Sequence, residues 1–268
     1  MSSRYGVTSR LKYKKIHDMV AAEKRMDGRG FEDYRDITIK PKILEKAEGS
    51  AEVSLGKSRV LVGVKIGVGE PFEDTPGEGV LICNAEFVPI ASPAFEPGPP
   101  DENSIELARI VDRGLRSSGV VDFSKLDIIP GKSVHMINVD IYILNHAGNL
   151  IDASAMAALA ALRGAIKPVF EVKDGEVVNT GKKVPLEVRR NPVAVTMVKI
   201  GDRMLVDPTS DEEEVMGTRI TISIDDEGNI CTIQKSGSEG LGLDDIKKAL
   251  NIAKEKAPEI RAKILGAG

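Results

Sequence analysis

The sequence predicts an α+β fold in which mixed sheets carry packed helices. Three observations predict it: runs of short strand-like segments dominate the chain, helical patterns interrupt them only a few times, and the long regular βαβ alternation of a doubly wound sheet is missing. At 268 residues, 41% hydrophobic and 29% charged, the chain has ordinary globular composition and ample length for a core.

Thr8 to Lys24 reads as an amphipathic helix with Leu11, Ile16, Met19 and Val20 on its apolar side and Lys12, Lys14 and Lys15 on its polar side. A charged turn follows, Arg25-Met26-Asp27-Gly28-Arg29. Strand signals then come at 37–39, 51–55 and 59–66, with Gly56-Lys57-Ser58 as the hairpin turn between the last two. Gly67 to Gly79 is a Gly/Pro/acid loop, Val80 to Ile90 is strand-like, and Pro93 to Pro100 is a proline-rich loop ending in Asp101-Glu102-Asn103-Ser104, a helix start. A strand-like run over 139–144 leads through Gly148 into an Ala-rich helix over 153–164.

The second part of the chain echoes the first. Val198 to Val206 resembles Val53 to Val62 with a turn one residue shorter, and Ile222 to Ile230 resembles Ile141 to Leu150. Each copy is followed by a helix, 153–164 in one and 243–256 in the other. The pattern predicts an internal duplication with these limits: an N-terminal helix in 1–24, a first half in 25–172, a linker in 173–190 where Gly, Lys and Val alternate without a long apolar face, and a second half with its C-terminal helix in 191–268.

Net charge is −4 and the pI about 5.6, which excludes a protein coated in basic surface, so any nucleic-acid role must rest on a local cluster. Aromatics are 4% and Trp is absent, a poor supply for a stacking platform. The cysteines, Cys83 and Cys231, lack metal-ligand spacing and lie in strand-like segments, as buried free thiols would. His17, His135 and His146 are scattered, so no metal and no cofactor is expected. No apolar run reaches membrane-span length and the polar start is no signal peptide; a cytoplasmic, reduced protein is the default.

The sharpest positive feature is the segment Glu106 to Arg116. At about 100° per residue, Arg109, Arg113 and Arg116 share a narrow stripe, and Leu107, Ile110, Val111 and Leu115 lie opposite. Such a row can bridge successive phosphates of a single strand, each guanidinium forking onto oxygens. Internal ion pairing is the other reading, since Glu106 is three residues before Arg109 and Asp112 four before Arg116. Arg113 has no opposite charge at helix-neighbour spacing, which makes it the best candidate to face a ligand.

Gly148-Asn149-Leu150-Ile151-Asp152 has the shape of a phosphate cradle, a turn opening a helix with free N–H groups and a positive dipole end. It lacks the hydroxyl and Arg that would reinforce phosphate binding, and it ends in an acid. The run Asp207-Pro208-Thr209-Ser210-Asp211-Glu212-Glu213-Glu214 offers carboxylates for Mg²⁺ or general-acid work, or a solvated turn capped by Ser210 or Asp211. Arg25, Arg29 and Arg35 suit either phosphate binding or a structural clamp with acids. The glycine loops have no P-loop spacing, and Ser154 has neither a nearby base nor a nucleophile elbow.

Arg25-x-Asp27-Gly28-Arg29 with Arg35, the Glu106 to Arg116 segment, Gly148 to Ala153, and Asp207-Pro-Thr-x-x-Glu212-Glu213 together resemble the RNase PH family, and more narrowly its non-catalytic members in the archaeal exosome ring. The likeness runs from about Lys24 to the final helix. It implies an RNase PH-like fold of two pseudo-symmetric βα halves. Active relatives degrade RNA from the 3′ end with inorganic phosphate, which they hold with a Gly–Ser/Thr–Arg segment at a helix start. The matching place here is Gly148-Asn149-Leu150, without the hydroxyl–Arg pair. Their catalytic acids lie in Asp-x-x-x-x-Glu-Asp, where this chain ends in Glu213 and carries Pro208 after the first acid. The resemblance therefore implies no catalytic residue of this chain's own, and a place beside a catalytic sister subunit in a hexameric ring, a trimer of heterodimers, with RNA cap subunits above. It would grip single-stranded RNA through Arg109, Arg113 and Arg116. Two alternatives stay open: a self-sufficient phosphorolytic ribonuclease using Asp207 and Glu213, and a pure ring scaffold.

Overall fold

The computed structural model describes residues 7–267; the polar first six residues and Gly268 lie outside them. The first sheet is built from β1 (Ile37–Pro41), β2 (Gly49–Leu55), β3 (Ser58–Gly69), β4 (Val80–Phe87), β5 (Asp127–Ile129) and β6 (Ser133–Asn145), in the order β1-β2-β3-β6-β4 with β5 on β6. All its pairings are antiparallel except β4 with β6, which are parallel and joined through α2 (Glu102–Ser118). Period-two patterning drives these strands: Ala51, Val53 and Leu55 on β2, and Val60, Val62, Val64 and Ile66 on β3, point to one buried face. The β2–β3 turn needs Gly56, whose φ is +55° and whose missing Cβ leaves room for the Arg35 side chain to pass.

The second sheet comprises β9 (Val193–Ile200), β10 (Arg203–Val206), β11 (Thr218–Ile224) and β12 (Ile230–Gly237), in the order β10-β9-β11-β12 and antiparallel throughout. The two hairpins that echo each other in sequence both form, but they join their sheets differently. In the first sheet the later strand β3 pairs with β6, and in the second the earlier strand β9 pairs with β11. Between the sheets lies α3 (Leu150–Arg163), buried along almost its whole length and touching β2, β3 and β9. Its alanines explain this position, because small side chains let a helix approach two sheets at once.

Two further helices complete the packing. The helix α5 (Leu243–Gly266) buries Ala249, Ile252, Ala253, Ala257, Ile260 and Ile264, and it runs through Pro258, well past the expected end at Lys256. The helix α1 (Val7–Ala21) seats Ile16 and Val20 on the opposite face of β9, with Val198, Ile200, Leu205 and Val215, while Leu11, expected on that apolar side, is exposed. The polar side of α1 ties down the short helix α4 (Ser210–Val215), Lys12 pairing with Asp211 and, at 2.8 Å, with Glu214.

Residues 173–190, expected as a linker, contain the turn and second strand of a hairpin instead. It is formed by β7 (Ile166–Lys173) and β8 (Glu176–Pro185). The turn is Asp174-Gly175, both at positive φ, which is the strongest short hairpin signal a sequence offers. Among the described residues no helix is long and apolar enough to cross a membrane. Cys83 and Cys231 are free and half-buried.

Candidate functional site

The start of α3 is the centre of the site. Gly148 has φ +95°, and a Cβ there would strike the backbone of Pro208, Thr209 and Ser210, so glycine is what lets the acidic segment lie directly on the turn. Asn149 follows in the left-handed region (φ 51°, ψ 51°) as the helix N-cap, its side-chain oxygen accepting from Asp152 N. Its backbone N–H, which would otherwise be open to an anion, donates to Glu213 Oε1 at 3.0 Å. Glu213 is delivered by α4, whose capping box is formed by Thr209 and Glu212 and not by the expected Ser210 or Asp211.

Asp207 is wholly buried and fully engaged. Arg35 forks onto both its oxygens at 2.8 and 2.7 Å and donates its backbone N–H at 2.9 Å; Arg29 adds a bond at 3.0 Å and the Asn149 amide another at 2.8 Å. Burial alone would raise the Asp207 pKa, but the hydrogen bonds and charge of Arg35 outweigh it and hold the carboxyl below its usual value. Arg25 forks onto buried Glu212 at 2.9 and 2.6 Å and also donates to the carbonyls of Val206 and Asp207, both at 2.9 Å. The three arginines of the 25–35 segment are thus spent on acids and carbonyls of the 206–212 segment, which is the clamp reading.

Beneath the turn, Asp152 is fully buried and accepts from Tyr34 Oη at 2.7 Å, Asn149 Nδ2 at 2.8 Å, and the Thr196 hydroxyl and N–H at 2.6 and 3.0 Å. Burial still pushes its pKa up to about 6. Glu213 is pushed up to about 7, again by burial, against the Asn149 N–H and the charges of Arg219 and Arg35. Glu213 borders a cleft of about 250 Å³ shared with Phe87, Phe95, His146, Glu106 and Arg219. Ser154 is buried, its hydroxyl without a hydrogen-bond partner among the described residues, so it offers no nucleophile to solvent.

The arginine stripe forms as its spacing predicts. Asp101 caps α2 by accepting from Ser104 N, Gly119 ends it in the left-handed region, and Leu107, Ile110, Val111 and Leu115 are buried, leaving Arg109, Arg113 and Arg116 exposed. The three line one groove of about 370 Å³ beside β4. Their partners differ. Arg116 forks onto Asp112 at 3.1 and 3.0 Å and also donates to the Leu81 carbonyl. Arg113 donates to Gln234 on β12 at 3.0 Å. Arg109 makes no ion pair among the described residues, because Glu106 turns to Arg219 at 2.8 Å instead. Arg113, singled out in the sequence because no opposite charge lies at helix-neighbour spacing, likewise makes no ion pair among the described residues; it differs from Arg109 only in its bond to the neutral Gln234 amide. Tyr34, Thr196 and Arg219 escaped sequence reasoning entirely, since nothing local in the sequence marks a partner that arrives from another strand.

Residues 33–168 match the 3′ exoribonuclease family, domain 1, and residues 191–256 match its domain 2. The chain is 52% identical over 246 residues to the exosome complex component Rrp42 of Thermococcus onnurineus, covering 91% of this chain and 90% of that protein. It is 45% identical over 261 residues to the protein of the same name from Methanothermobacter thermautotrophicus, covering 97% and 96%. A chain of the Archaeoglobus fulgidus exosome with RNA bound to the active site superposes with a TM-score of 0.88 at 45% identity, covering 96% of this chain and 99% of that one. A chain of an archaeal exosome core gives 0.85 at 41% identity, covering 96% and 98%. With both of its domains matched and the strand and helix order of an α+β fold in place, this chain belongs to the RNase PH, or 3′ exoribonuclease, family.

Proposed function

We propose that this chain is a non-catalytic subunit of an exosome, a phosphorolytic 3′→5′ exoribonuclease assembly. In that assembly it sits beside a catalytic RNase PH-family sister in a hexameric ring, under RNA cap subunits, helps shape the sister's active site, and holds the RNA backbone with Arg109, Arg113 and Arg116. One observation carries the reading: the N-cap N–H of Asn149, one of the donors that the start of α3 would offer inorganic phosphate, is bonded to Glu213 of the same chain. A second anion brought there would meet a carboxylate, with Asp207 already committed to Arg29 and Arg35. The names of the relatives and the exosome chains it superposes on support the assembly.

The guanidinium row contributes by charge and geometry. Contacts of Arg forks to phosphate oxygens position a strand without reading its bases, so the grip is sequence-blind and salt-sensitive. The test is reconstitution: this chain, a catalytic sister, and the two mixed, each given single-stranded RNA and phosphate. The expected result is feeble decay by either alone and strong decay by the mixture. A sister as active alone as in the mixture overturns the proposal.

A further inference from the structure

The geometry points to Phe72 as a base-stacking residue of the arginine groove, so that a bound single strand lays its phosphates on α2 and one base on the Phe72 ring. The inference rests on the proposed RNA grip and extends it from the backbone to a base.

Phe72 stands apart from the other phenylalanines. The chain has six Phe and no Trp. Phe31, Phe87, Phe95 and Phe123 pack against the cores, and Phe170 lies against His135 with ring centroids 5.5 Å apart. Phe72 belongs to neither core and is 49% exposed. It sits on the Gly/Pro/acid loop after β3, where no strand pairing or core contact accounts for an aromatic ring. That loop brings it to the rim of the same groove that Arg109, Arg113 and Arg116 line, over a floor of Leu81 and Ala108.

A nucleotide needs two kinds of partner, a cation for its phosphate and an apolar face for its base, and this groove displays both. At about 370 Å³ it has room for a nucleotide-sized group. Charge fixes the direction. Glu70, Glu73 and Asp74 flank Phe72 in the chain and repel phosphates, while on α2 Asp112 balances Arg116 and the guanidiniums of Arg109 and Arg113 attract them. A strand entering the groove therefore turns its backbone to α2 and its base edge to the loop. Aromatic stacking is indifferent to base identity because every base has a π-face.

The test measures binding of a short single-stranded RNA to the assembled ring, over a range of salt, with Phe72→Ala, Phe72→Tyr and Arg109→Ala. Phe72→Ala is expected to weaken binding about tenfold, ~1.4 kcal/mol, with the slope of log affinity against log salt unchanged, and Phe72→Tyr to bind as the parent does. Arg109→Ala is expected to lower that slope by about one unit, as loss of a phosphate contact does. An RNA scanned with single abasic nucleotides should show one position where the missing base costs about as much as Phe72→Ala, and where adding Phe72→Ala costs nothing more. If Arg109→Ala weakens binding and Phe72→Ala does not, the stacking inference falls and the arginine grip stands. If neither changes affinity, both fall. A Phe72→Ala ring that fails to assemble would make Phe72 an intersubunit contact and overturn the inference.

Discussion

Asn149 donates its backbone N–H to Glu213 Oε1 at 3.0 Å, so the N-cap of α3 is occupied by an acidic side chain that the chain itself supplies. The two residues are far apart in sequence and meet because Gly148 leaves no Cβ in the way of the 208–210 backbone. The arrangement preserves the shape of an anion cradle and fills it from within.

The burial of Glu213 at this turn has a pH signature, which the Asn149 bond opposes without cancelling. Burial raises the Glu213 pKa from 4.5 to about 7, so the folded chain holds that proton more tightly than the unfolded chain does. The resulting stabilisation is full below about pH 4.5 and is lost as pH rises through about 7. Glu213→Gln, which cannot ionise, should flatten the fall in melting temperature between pH 4.5 and 7 that this group causes in the parent protein. Calorimetry of both proteins across that window checks it; parallel curves would refute it.

The reach of the sequence can be read from the same residues. Arg109, Arg113 and Arg116 were legible because a helix maps sequence spacing directly onto a face, and the Asp112–Arg116 pair was legible for the same reason. Glu106 was not, since its partner Arg219 comes from β11, and i,i+3 spacing competes poorly with a tertiary neighbour at 2.8 Å. The emptied cradle could be read from the missing hydroxyl and Arg, but its occupant could not, because the Asn149–Glu213 bond depends on how two distant segments pack. The β7–β8 hairpin is marked in the sequence by Asp174-Gly175 alone, because its strands are largely exposed and lack clean alternation of apolar residues.

The clamp between Arg25 and Glu212 predicts a large, local stability effect. Both side chains are essentially inaccessible to solvent, and removing one leaves the other charge buried without its partner. Arg25→Ala should destabilise the chain by about 3–5 kcal/mol, seen as a lower denaturation midpoint with an unchanged slope. Arg203→Ala breaks a solvent-exposed pair with Glu23 and should shift the midpoint very little. Equal shifts for the two variants would contradict the account.

The groove arginines should not contribute equally to RNA binding. The charge of Arg116 is already balanced by Asp112, whereas among the described residues Arg109 has no ion pair and Arg113 is held only by the neutral Gln234 amide. Arg113→Ala should lower the salt slope of RNA binding by the assembled ring by about one unit, and Arg116→Ala by less. Arg113→Glu should weaken binding while leaving assembly intact, as sedimentation alongside the binding assay would show. Loss of the ring before any loss of RNA affinity would assign the stripe to intersubunit ion pairs.

The central claim is that this chain carries the architecture of a phosphorolytic site with its anion position filled by Glu213 and its Asp207 tied to Arg29 and Arg35. The direct measurement is release of nucleoside diphosphates from single-stranded RNA by the purified chain alone, in inorganic phosphate, at neutral pH. The account predicts no release above background; steady, phosphate-dependent release by this chain in the absence of any sister subunit would contradict it.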